Sequence, residues 1–195
     1  MITDIVLAVA ALLFIAVYVS WRAGRLDRMH TRLEAARAAL DVTLVRRSSV
    51  AMELASSGFL DPATSLLLAE VAHVARGSAN GGPARDLRDS ELAQSNLSRA
   101  LRAAFAQPGF RSSLTGKDGA EEMLAEVEAA AHQVFVARKF YNNAVAATRE
   151  ARRKPLVRLL RLSGSAGLPE FFEMDDSLVT GGGDGAGADM QRLAG

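Results

Sequence analysis

Residues 5–21 read IVLAVAALLFIAVYVSW, an uninterrupted run without a charge. A hydrocarbon core about 30 Å thick needs about 20 apolar residues in a helix, with about 17 as the lower limit. The run meets that limit, and Met1 to Thr3 with a snorkelling Asp4 lengthen it. Tyr18 and Trp21 stand at one end, where amphipathic rings prefer the headgroup level. Arg22, Arg25, Arg28 and Arg32 follow, whereas only Asp4 and the α-amino group precede. The positive-inside rule then places the N-terminus outside and the remainder in the cytoplasm. A cleaved signal peptide would need a basic n-region and small residues at a cleavage site. The chain offers Asp4 and Tyr18-Val19-Ser20-Trp21-Arg22 instead. A buried helix of a soluble protein would need a comparably apolar partner, and no later segment is as apolar.

The 195 residues leave one domain of ordinary size once this anchor and a glycine-rich tail are removed. A net charge of +1 gives no global attraction to polyanions. The absence of Cys excludes disulfides, thiolate nucleophiles and Cys-based metal centres. Abundant Ala with only 6% aromatic residues is helix-bundle composition, because strands favour β-branched and aromatic side chains.

Beyond Trp21 the apolar residues take helical spacing: Leu26, Met29, Leu33, Ala36, Leu40 and Leu44, then Ala51 and Leu54. This first helix runs on from the anchor through Gly24 and stops at Ser56-Ser57-Gly58. Asp61-Pro62 starts a second, with Leu67, Leu68, Val71, Val74 and Ala75 as its buried face and Gly77 as its end. A third opens near Asp89-Ser90, buries Ala93, Leu97, Leu101, Ala104 and Phe105, and ends at Pro108-Gly109. Residues 110–119 read as a loop. A fourth runs from about Ala120 to Lys154 with Leu124, Val127, Ala131, Val134, Arg138, Tyr141 and Val145 on one coiled-coil-like seam, and Pro155 stops it. Leu168 to Phe172 reads as an extended segment folding back on the bundle. The expected fold is all-α: a transmembrane helix (1–22), an antiparallel up-and-down four-helix bundle (23–176) and a disordered Gly-rich tail (177–195). That topology brings Arg152, Arg153 and Arg158 to the membrane end beside Arg22, Arg25 and Arg28, as a basic collar.

Three stretches carry a resemblance. Ala137-Arg138-Lys139-Phe140-Tyr141-Asn142-Asn143-Ala144-Val145 resembles the R-x-x-Y-N-x-x-V signature of the LemA family. Asp41-Val42-Thr43-Leu44-Val45-Arg46-Arg47 resembles its D-V-x-L-x-R-R, and Pro155 with Phe171-Phe172-Glu173 resembles its proline and aromatic-aromatic-Glu ending. The acidic-aromatic-proline segment usual between the last two helices is represented only by Ala106-Gln107-Pro108-Gly109-Phe110, and Thr148 stands where a second Tyr-Asn pair is usual. The resemblance implies a single-pass bacterial membrane protein with an outside N-terminus, a cytoplasmic helical bundle and no established enzymatic activity.

Catalytic sets are thin. Glu70 and His73 have the E-x-x-H spacing of a di-iron helix, but such a site needs a second copy and two further glutamates, and Glu128 with His132 has the wrong spacing. Gly181 to Gly185 resembles one calcium-binding glycine repeat, which cannot act without stacked copies. Ser163 to Gly167 lacks the Gly-Lys-Ser/Thr of a phosphate loop. No metal, cofactor or nucleic-acid partner is expected. Arg138, Tyr141 and Asn142 stand on or beside the seam where Leu or Ala is usual, so Arg138 needs a partner, with Asp41 as a candidate. A polar lock fixing register is the favoured reading over a ligand surface. The expected function is a non-catalytic scaffold in the inner cell membrane, contacting other membrane-associated proteins or itself. The alternative is a lipid-surface protein whose arginine collar reads anionic lipid.

Overall fold

The computed structural model describes residues 1–80, 86–153 and 167–175, without the side chains of residues 8, 11, 15, 19, 22, 23, 25–27, 111 and 113. Among the described residues there are five α-helices and no strand. These are α1 (Ile2–Ser56), α2 (Pro62–Ala79), α3 (Leu87–Phe105), α4 (Phe110–Leu114) and α5 (Ala120–Arg153). The all-helical bundle expected from composition and periodicity is present. The expected tail at 177–195, Lys154, Pro155 and Arg158 lie outside the described residues.

Helix α1 continues without a break through Gly24, as its flanking periodicity predicts. Arg28 leans back over Gly24, bringing its Nη1 within 3.9 Å of a Cβ built there. That is the direction helical side chains take. The helix stops where expected. Gly58 adopts φ 76°, a left-handed conformation that suits glycine, while Ser57 Oγ donates to the Leu54 carbonyl at 2.7 Å. Asp61 then caps α2, its Oδ1 accepting from the Ala63 and Thr64 amides at 3.1 Å each. Hydrogen bonds from Thr64, more than any other cause, hold this carboxyl below the usual aspartate range.

Among the described residues no helix is long and apolar enough to cross a membrane. The expected span at 1–22 is therefore not shown by the structure. Ala8, Ala11, Ile15 and Val19, inside that run, are among the positions whose side chains are not described.

The chain divides into two compact units: Met1–Ala39 with Lys139–Phe171, and Leu40–Arg138 with Phe172–Gly195. In the second, Val50, Ala51, Leu54 and Ala55 of α1 pack with Leu68, Ala72 and Ala75 of α2, Ala93, Leu97 and Leu101 of α3, and Val127 and Ala130 of α5. A smaller cluster forms around Phe110, Leu114 and Ala120, with the Phe105 and Phe110 rings stacked at 5.1 Å. Here lies α4, inside the stretch expected to be a loop. Five residues show no periodicity to read, but Gly109 at φ 81° turns the chain so that Phe110 and Leu114 reach the core.

Two expectations for α2 are corrected. Its buried face is Leu68, Ala72, Ala75 and Ala79, and Leu67 and Val74 are exposed. The buried stripe is made mostly of alanines, which allow a close approach, so the larger residues beside it misled the periodicity. The helix also passes Gly77 to end at Ala79, with the Asn80 amide donating to the Arg76 and Gly77 carbonyls. Burial of Ala79 offsets the cost of a helical glycine, about 1 kcal/mol. Helix α3 starts at Leu87 behind an Asp86 cap, slightly before the expected Asp89.

Candidate functional site

Helix α3 interleaves its apolar stripe with polar residues that are just as buried: Ser90, Gln94 and Ser98. Arg47 of α1 meets them, although it is only 4% exposed. Its Nη1 donates to Ser98 Oγ at 3.0 Å. Its Nη2 donates to the Gln94 carbonyl at 2.9 Å and to Gln94 Oε1 at 2.7 Å. Because Oε1 accepts from a guanidinium, the Gln94 amide nitrogen is left to donate, and it does so to the Ala75 carbonyl of α2 at 3.0 Å. One side-chain chain thus links α1, α3 and α2. A one-residue slip of any of these helices would strand a charge in the core.

A second arrangement occupies the C-terminal third of α5. Tyr141, Arg149 and Arg152 hold the extended segment 167–171 by its backbone. The Tyr141 hydroxyl donates to the Glu170 carbonyl at 2.9 Å, Arg149 Nε to Pro169 at 2.7 Å, and Arg152 Nη1 to Gly167 at 2.7 Å. Among the described residues the segment has no strand neighbour, so these donors supply what a sheet would. Pro169 fits because it lacks only an amide donor, and it is the carbonyls that are gripped. The Phe171 ring lies under the Arg149 guanidinium, 4.8 Å from its carbon. Arg152 Nη2 also meets His30 Nε2 at 2.8 Å. A guanidinium can only donate, so His30 Nε2 is the acceptor in this contact.

The following residues, 172–175, are fixed on α3 within the other unit. Phe172 is fully buried and Met174 nearly so. The Glu173 amide donates to Glu91 Oε1 at 2.7 Å and the Asp175 amide to Ser95 Oγ at 3.1 Å. Asp175 also forms a two-pronged ion pair with Arg102. That pair raises the guanidinium's proton affinity above its usual value, against the lowering effect of burial. The expectation that Leu168 to Phe172 folds back as an extended segment thus agrees with the structure.

The sequence-derived candidates separate into these settings. Tyr141 is buried and bonded to Glu170. Arg47 is the centre of the buried network, and Arg46 is exposed with an ion pair to Glu126 at 3.6 Å. Asp41, Arg138 and Asn142 are partly buried, and each engages a neighbour. Arg152 is buried and Arg153 exposed at the end of α5, while Arg28 is exposed on α1. The side chains of Arg22 and Arg25 are outside the described set. Gln94 and Ser98 escaped sequence reading. Their one signal was polar residues at positions 90, 94 and 98, a four-residue step running beside the apolar stripe 93, 97 and 101. Glu70 and His73 are both exposed, and among the described residues no three potential metal ligands converge.

Beside the arginines of α5 lies a cleft of about 350 Å³, lined by Arg149, Arg152, Arg153 and Leu168. Neither a family model, a curated protein nor a solved structure matches the chain.

Proposed function

We propose that this chain is a membrane-anchored helical scaffold. Residues 1–22 span the inner membrane with the N-terminus outside, and an antiparallel up-and-down bundle presents its surface in the cytoplasm to membrane-associated proteins or to a second copy. One observation carries the reading. Ile2, Ile5, Val6, Leu7, Val9, Leu12, Leu13, Phe14, Val17 and Trp21 are all more than half exposed on one continuous helix. At 100° per residue they cover about 220° of the helix circumference, and by sequence the remaining face carries Ala8, Ala11, Ile15 and Val19. Leaving ten such side chains in water forgoes about 15–30 kcal/mol, at about 1.5–3 kcal/mol each. That exceeds the whole net stability of an ordinary domain, about 5–15 kcal/mol. A segment apolar on all sides is matched by lipid rather than by one partner face.

The LemA resemblance supports the same reading. Each of its three motifs puts a side chain at a held position: Arg47 in the buried network, Tyr141 on the Glu170 carbonyl, and Phe172 in the core. The test is alkaline-carbonate extraction of membranes bearing the full chain. The chain stays with the membrane pellet, and Leu7→Arg with Leu12→Arg releases it. Release of the unaltered chain would end the anchor reading.

A second reading, attraction to an anionic lipid surface, draws on Arg28 and Arg32. Both are exposed on α1 just past the apolar run, and neither has an ion pair among the described residues. Surface attraction of this kind weakens as salt approaches physiological strength, where the Debye length is about 8 Å. Association that survives salt belongs to the anchor.

A further inference from the structure

The cleft at the end of α5 holds more positive charge than its structural duties use. Arg149 commits its Nε to Pro169 and its face to Phe171. Among the described residues its two terminal nitrogens make no hydrogen bond, and it has no ion pair. Arg153 is exposed and makes neither. The two stand four residues apart on one helix, so they are neighbours. Like charges at that spacing repel, and no carboxylate is among the described lining residues. The C-terminal carbonyls of α5 offset only about half a charge.

We propose that this cleft is a binding site for a phosphate group, taken by the free edge of Arg149 and by Arg153. Three features favour a site over a solvated patch. Arg149 is held in place by a hydrogen bond and a ring, so little side-chain freedom is lost on binding. Its free edge presents the planar fork that matches phosphate oxygens. The volume, about 350 Å³, is that of a small-ligand cleft.

Two sources carry this chemistry: an anionic lipid headgroup and a soluble phosphorylated compound. The choice between them rests on the anchor reading, whereas the site does not. His30, which touches Arg152, lies nine residues past Trp21, or about 14 Å along α1 at 1.5 Å per residue. A headgroup layer extends only about 5–8 Å beyond the hydrocarbon. A headgroup reaching the cleft must therefore project from the membrane plane.

The test uses the full chain in neutral detergent, melted under circular dichroism at constant ionic strength. One arm adds inorganic phosphate against chloride, and the other adds phosphatidic acid against phosphatidylcholine in the micelles. The melting temperature rises with at least one phosphate probe, and Arg153→Gln weakens the apparent affinity about tenfold, the expected loss of a charge-assisted bond. Arg153 holds nothing else in place, so this variant folds. Arg28→Gln leaves the affinity unchanged. A response to phosphatidic acid alone makes the ligand a headgroup, and a response to inorganic phosphate makes it soluble. No shift with either probe, or equal shifts in the unaltered chain and Arg153→Gln, overturns the site. Carbonate extraction reports separately on the anchor, and its failure leaves the inorganic-phosphate arm decisive.

Discussion

Arg47 and Arg149 both sit on long helices and both donate to neutral oxygens, yet they sit in opposite surroundings. Arg47 is sealed among Gln94, Ser98 and the α3 backbone, and the network it anchors reaches α2 through Gln94. Arg149 gives one nitrogen to a backbone carbonyl and faces an open cleft with the other two. The first environment makes the charge a register lock, because any displacement leaves it buried without acceptors. The second leaves charge accessible, and accessible preorganised charge is what a ligand can use. Burial, rather than residue type, divides structural arginines from available ones in this chain.

The contrast breaks most easily at the lock. Gln94→Leu removes one acceptor, Oε1, from a buried guanidinium together with the donor to the Ala75 carbonyl, and lowers stability by about 1–3 kcal/mol in urea unfolding. The triple change Arg47→Met, Gln94→Leu, Ser98→Ala recovers most of that loss, since an apolar core of similar volume avoids the unpaired charge. A triple variant as unstable as the single would show that the network contributes more than register.

On the open side, the effects are smaller. Tyr141→Phe removes the bond to Glu170 and costs about 1 kcal/mol. Hydrogen exchange at residues 170–172 quickens in this variant while the amides of α3 keep their protection. Arg102→Gln, which breaks the ion pair with Asp175, costs less than about 1 kcal/mol, because both side chains are about a third exposed. Its effect fades further with added salt.

The smallest expected effect is at the Asp61 cap. Its proton affinity is lowered in the folded state, so its stabilising contribution is fully present above the ordinary carboxylate range. The contribution is lost as pH falls through the still lower folded value. Asp61→Ala therefore reduces the melting temperature near neutral pH, and the difference from the unaltered chain vanishes in acid.

Where a residue's role depends on its own helix, the sequence was legible. The continuity of α1 through Gly24, the stop at Gly58 and the Asp61-Pro62 start follow from local chemistry, and the structure has them. The stripe of α3 was legible because leucines mark it. That of α2 was displaced because alanines do the packing while Leu67 and Val74 face out. Gln94 and Ser98 were missed because their partner lies forty-seven or more residues away on α1, and periodicity within one helix carries no information about its neighbours. The α5 cleft was half legible. The basic run was visible, but the carbonyls and the Phe171 ring that orient Arg149 were not.

The most direct test of the account is the sidedness of the bundle. With an epitope tag appended after Gly195, protease is added to intact cells and to inverted membrane vesicles. The anchored-scaffold account predicts that the tag survives in intact cells and is lost in inverted vesicles, with the apolar N-terminal fragment kept in the membrane. Loss of the tag in intact cells would contradict it, reversing the orientation inferred from Arg22, Arg25, Arg28 and Arg32 and moving the scaffold surface to the outer face.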